Sequence, residues 1–180
     1  MRTDLFEADY YRMTGYSYSK SIKTVGNILL RHNLKFMYVW RKYQKTQSKL
    51  YRILLYILTK KYGLEISTKA LIREGVYLGH PYNITVAEGV SIGKNVNLHK
   101  GCTIGRENRG KRVGVPQIGN CVSIGINSTI VGNITIGDDV MIAPNTFVNF
   151  DVPSHSVVIG NPATIHCKEY ATEGYVNYLV

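Results

Sequence analysis

Isoleucine, leucine or valine returns every six residues through most of the second half of this chain. The positions are Ile66, Ile72 and Leu78, then Val86, Ile92, Leu98 and Ile104, then Ile118, Ile124, Ile130, Ile136, Ile142 and Val148. Four residues after most of them comes a second, smaller position: Ala70, Val76, Val90, Val96, Cys102, Val122, Ser128, Val140, Thr146. Gly, Asn and Asp crowd the intervals. Neither a 3.6-residue helical period nor strict alternation produces this pattern. A short fixed period with turn residues at a fixed phase predicts a β-solenoid. Each hexad supplies a short strand and a corner, and residues tolerant of positive φ are needed at the corner. Three hexads close an 18-residue coil, so thirteen hexads make a little over four coils, a prism about 20 Å tall. Such a thin core predicts that flat faces are covered by self-association.

The phase breaks twice. From Leu78 to Val86 the step is eight, and the excess falls on His80-Pro81-Tyr82-Asn83. From Ile104 to Ile118 the step is fourteen, which ejects a loop from Arg106 to Val115. Loops thrown out of a rigid scaffold are where sites tend to be built, so the chemistry is expected at these two places.

The N-terminal third has a different pattern. Apolar residues at three-to-four spacing (Leu30, Leu34, Met37, Val39, Trp40, then Leu50, Ile53, Leu54, Ile57, Leu58) predict helices, with Gly63 as a stop. Domain limits follow: residues 1–63 a basic helical cap, 64–166 the solenoid, 167–180 a tail. Charge is lopsided in the same way. Residues 1–64 carry 13 Lys/Arg against three Asp/Glu, and 65–180 carry nine of each. The simplest expectation is a cap whose apolar face covers the first coil and whose cations face water. Attraction to an anionic membrane surface, a lipid-linked intermediate or a biosynthetic partner enzyme is the functional alternative. No nucleic-acid motif accompanies the charge, so no nucleic-acid partner is expected. Asp4, Glu7 and Asp9 interrupt any signal peptide, and Cys102, Cys121 and Cys167 fit neither metal nor disulfide spacing. A cytoplasmic protein, peripheral to the inner face of the membrane if the basic helices touch lipid, is the expectation.

The hexads resemble those of the left-handed β-helix acyltransferases. Within that group residues 64–166 are similar to the serine acetyltransferase branch. The resemblance is carried by Leu64-Glu65-Ile66-Ser67 through Tyr77-Leu78-Gly79-His80-Pro81, by Val115-Pro116-Gln117-Ile118-Gly119, and by the closing Val158-Ile159-Gly160-Asn161-Pro162-Ala163. It implies a mainly β fold, a left-handed parallel β-helix with an N-terminal helical segment. It also implies acetyl-CoA as co-substrate, a hydroxyl acceptor, no metal, and a homotrimer with sites between subunits. By the same resemblance His80 is the general base and Glu65, fifteen positions ahead, its orienting carboxylate, Glu standing where Asp is usual. An imidazole within reach of a hydroxyl typically gains about 10²–10⁴-fold in rate. His99, nineteen residues after His80, is expected beside it as a second catalytic or acceptor-orienting group. The pantetheine lining implied by position is Gly105, Arg106, Gly125, Ile126, Ala143 and Pro144, with Lys111 and Arg112 meeting the anionic nucleotide end of CoA.

Two positions depart from that branch. Gly79 replaces an acidic residue used for the amino-acid substrate, and Val115 replaces a second active-site histidine. Both departures point away from L-serine and towards a sugar or surface-polysaccharide hydroxyl, the pattern of shorter relatives encoded with polysaccharide machinery. The reading is therefore a sugar O-acetyltransferase, with serine O-acetylation (cysteine biosynthesis) as the alternative and a non-catalytic trimeric scaffold as a second. A metal enzyme of the carbonic anhydrase type would need three convergent histidines.

Overall fold

The computed structural model describes residues 4–180. Four helices come first: α1 Leu5–Thr14, α2 Ile22–Leu30, α3 His32–Thr46 and α4 Lys49–Tyr62. Their ends are chemically marked. The Asp4 carboxylate accepts from the Phe6 N–H at the start of α1, and the Ser21 hydroxyl accepts from Thr24 at the start of α2. Gly15 (φ 72°) and Gly63 (φ 66°) close α1 and α4 in the left-handed region, where glycine is the residue of least strain.

Fifteen short strands follow, and the first fourteen wind into a parallel coil. One sheet stacks β1 (Glu65–Ile66), β4 (Thr85–Val86), β7 (Thr103–Gly105), β10 (Thr129–Val131) and β13 (Phe147–Val148). A second stacks β2 (Leu71–Ile72), β5 (Ser91–Ile92), β8 (Gln117–Ile118) and β11 (Thr135–Ile136). The third stacks β3 (Tyr77–Gly79), β6 (Asn97–His99), β9 (Ser123–Ile124), β12 (Val140–Ile142) and β14 (Ser156–Gly160), and ends in β15 (Ala163–Cys167), which pairs antiparallel with β14. Register follows the hexads: Ile66 sits under Val86, Ile72 under Ile92, and Leu78 under Leu98. All thirteen repeat positions are buried, none more than 6 % exposed, and so are the nine smaller ones. Val152 and Val158 extend the inward column beyond the last hexad read from sequence, which brings the solenoid to about five turns. Corner residues Asn95, Asn127, Asp139 and Asn145 take φ of 52–58°.

The helices cap the first coil through polar as well as apolar contacts. Leu34, Met37 and Trp40 of α3 are buried. The Trp40 indole N–H donates to the Ile66 carbonyl, Gln44 to that of Thr68, and the Arg41 guanidinium to those of Ile72 and Arg73. From α1, Asp9 accepts from the Gly75 and Val76 N–H groups and pairs with Arg41 at 2.8 Å. Arg12 donates to the Gly75 carbonyl and to Asn97. Two expectations for this segment are corrected. Arg12 and Arg41 are buried rather than facing water, because each finds carbonyl or carboxylate partners on the first coil. Leu30, Leu50, Ile53 and Ile57 face outward, because α4 packs through Leu55 and Leu58 and α2 ends at Leu30.

Candidate active site

Both insertions read from sequence leave the coil where expected. Between β3 and β4 the chain turns through His80 and Asn83, both with positive φ (49° and 54°). The Tyr82 N–H donates to the His80 carbonyl, tightening the turn. His80 is exposed, and its ring makes no hydrogen bond among the described residues. Directly above Gly79 in the parallel ladder lies His99. The His99 ring rests on Gly79: a Cβ built there would meet His99 Cδ2 at 2.5 Å and Nε2 at 2.9 Å. On its other side, Nδ1 of His99 lies 2.9 Å from the Ile124 carbonyl. A carbonyl only accepts, so Nδ1 carries the proton and Nε2 of the neutral ring keeps its lone pair. This backbone acceptor was invisible in the sequence, since any residue at position 124 supplies it.

Glu65 stands on β1, exposed, and no ion pair joins it to His80 within 4.0 Å. The carboxylate–imidazole pair implied by the resemblance is thus not closed in this conformation. A third histidine approaches the same corner unannounced. His32 packs its ring 5.0 Å from both Tyr62 and Tyr82, and its buried Nε2 has no partner. Burial and Lys35 hold its pKa below the ordinary value.

The stacking sorts the remaining candidates onto two edges. His80, Lys100, Ile126 and Pro144 follow β3, β6, β9 and β12, so they form one column where the third sheet turns into the first. Successive corners are bonded: Gly101 N–H to Tyr82 O, Asn127 N–H to Lys100 O, Asn145 N–H to Ile126 O. Gly125 and Ala143 belong to this column, and Gly125 has no room for a Cβ, which would lie 2.6 Å from Pro144 N. Gly105 ends β7 and Arg106 follows it, so both lie across the first sheet, on the other edge. There the ejected loop folds into a hairpin, Glu107 and Gly114 exchanging N–H···O bonds of 2.9 and 3.0 Å. It is pinned back onto the prism by Arg112, whose carbonyl accepts from Asn133 N–H and whose guanidinium donates to the Asn149 carbonyl. Arg109, Lys111 and Arg112 line a cleft of 320 Å³ with Glu107, Val131 and Asn149. A cleft of 1010 Å³ beside α1, Arg73, Glu74 and Lys94 includes neither His80 nor His99.

No group of three or more His, Cys, Asp or Glu converges as a metal site among the described residues. Cys102 is buried in the core and its thiol is pushed up to about 12 by burial, which leaves no thiolate for covalent catalysis.

Residues 116–149 match the family described as bacterial transferase hexapeptide (six repeats). By repeat and fold, the chain is a hexapeptide-repeat left-handed β-helix similar to the serine acetyltransferases. Over 110 residues it is 40 % identical to serine acetyltransferase 2 of Arabidopsis thaliana, covering 60 % of this chain and 33 % of the plant protein. Over 107 residues it is 33 % identical to the serine acetyltransferase of Helicobacter pylori strain 26695, covering 59 % of this chain and 63 % of the relative. The chain therefore spans between a third and two thirds of the length of these relatives. The crystal structure of Neisseria gonorrhoeae serine acetyltransferase in complex with serine superposes with a TM-score of 0.72 at 27 % identity, over 90 % of this chain and 67 % of that one. These likenesses favour the serine alternative over the sugar reading, and none of them concerns polysaccharide.

Proposed function

We propose that this chain is an acetyl-CoA-dependent O-acetyltransferase acting directly on a hydroxyl, with L-serine as the acceptor that its relatives support. The observation that carries the reading is the His80–His99 column: two imidazoles on adjacent coils, one with its tautomer set by a backbone carbonyl. An acceptor hydroxyl is too weakly acidic to attack a thioester unaided at neutral pH. His80, free of hydrogen bonds, takes the hydroxyl proton as oxygen attacks the acetyl carbon. His99 presents Nε2 beside Gly79 and accepts a hydrogen bond that orients the acceptor. The tetrahedral intermediate then expels the CoA sulfur, which leaves with a proton returned from the imidazolium.

The donor residues stand on two edges separated by the first sheet, so one chain cannot wrap both around one pantetheine. A homotrimer, with the edge of one copy facing the loop of the next, supplies the missing wall. Lys111 and Arg112 then meet the anionic end of CoA.

Thiol release from acetyl-CoA, with L-serine, UDP-sugars and simple glycosides offered in parallel, tests the reading. Release with serine and its loss by about 10²–10⁴-fold in His80→Ala is the expected result. His99→Ala is expected to raise KM for the acceptor more than it lowers kcat; the reverse split would make His99 the base. A specific observation supports sugar as second reading: the His99 ring fills the space above Gly79, where the branch otherwise places an acid. Release with a sugar alone would establish it. A trimer silent with every acceptor and unchanged by His80→Ala would favour the scaffold.

A further inference from the structure

The outer faces of α2 and α4 have no role in the site above, and their chemistry is distinctive. Ile22, Val25 and Leu29 run along α2 at i, i+3 and i+7, and Leu50, Ile53 and Ile57 do the same on α4. All six are between 52 and 93 % exposed. Exposed stripes of this kind mark interaction surfaces. Around them the charge has one sign: residues 10–64 contain 12 Lys/Arg and no Asp or Glu. Lys20, Lys23, Arg31, Lys49, Arg52 and Lys60 are exposed, and none has an acidic partner within 4.0 Å among the described residues. Lys23 and Lys60 lie over the rings of Tyr16 and Tyr56, at 4.9 and 5.6 Å. No described helix is long and apolar enough to cross a membrane.

We infer that α2 and α4 dock this protein onto an anionic lipid surface, aliphatic stripes in the acyl boundary and Lys/Arg among the headgroups. Charge complementarity selects this occupant. A second copy laid on the same faces would bring two cationic surfaces together, whereas an acidic lipid layer neutralises them. Because the helices cap the first coil, a trimer turning about an axis parallel to the coil places all three caps at one end. That last step rests on the trimer proposed above. Docking of the single cap does not, and the vesicle assay reads no acetyl transfer.

The test is co-sedimentation of the full chain with large unilamellar vesicles, of phosphatidylcholine alone or with one third phosphatidylglycerol. Binding should require the anionic lipid and weaken roughly tenfold or more as salt rises from about 0.1 to about 0.5 M. Leu50→Ser/Ile53→Ser/Ile57→Ser and, separately, Lys49→Glu/Arg52→Glu should each weaken it by roughly tenfold. Both change exposed positions, so the circular dichroism should stay that of the parent chain. Three results would overturn the inference: no binding to anionic vesicles at low salt, equal binding to neutral ones, or an apolar variant that dissociates a larger assembly, which would make a second copy the occupant.

Discussion

Gly79 governs where the His99 ring can sit. Its φ is not positive, so backbone strain is no obstacle to a side chain; the obstacle is the ring itself, 2.5 Å from an added Cβ. Gly79→Ala is therefore expected to leave the fold intact, since the ring is the far end of a mobile side chain. It should nevertheless move Nε2 and loosen the bond to Ile124. Misplacement of a positioned group by about 1 Å can cost on the order of 10²-fold in rate. Steady-state kinetics, together with the His99 ring resonances, would check both halves of that statement. At this scale the sequence was only partly legible. His80 stood out because it interrupts a period, and His99 because it falls one coil later. The acceptor that fixes His99 is a main-chain carbonyl, which leaves no trace in residue identity. That Glu65 and His80 make no ion pair is a matter of side-chain placement, on which the fifteen-residue interval is silent.

Among the elements, the solenoid strands could be read because one buried position per strand must be aliphatic and one corner per hexad must tolerate positive φ. Helix α4 could not be read as well. Leu50, Ile53, Leu54, Ile57 and Leu58 cover more than one face, and only tertiary contact decides that Leu55 and Leu58 turn inward. The attachment of α1 and α3 to the first coil was hidden too, since Asp9 and Arg41 lie 32 residues apart and bond largely to backbone. Asp9→Ala removes the carboxylate paired with the buried Arg41 guanidinium and strands the N–H groups of Gly75 and Val76. Breaking such a pair on one side costs about 3–5 kcal/mol. Denaturant unfolding should show that loss, whereas Lys69→Ala, which breaks an exposed pair with Glu88, should leave the unfolding midpoint nearly unchanged.

For the whole molecule, the two edges of donor residues and the flat outer sheets both call for neighbours. Light scattering should return three times the 20.3 kDa of one chain, and a monomer that still released thiol from acetyl-CoA would refute the intersubunit site. The capping contacts have a further consequence. A stack of parallel coils has no natural terminus: its lowest turn presents unpaired backbone groups on which another coil could pair, the route by which exposed strand edges aggregate. Trp40, Arg41, Gln44, Asp9 and Arg12 occupy those groups on the first coil one by one, and β15 reverses direction at the opposite end. The helical segment thus acts as a stopper against polymerisation, holding a fold that could lengthen into a fibre at a fixed number of turns.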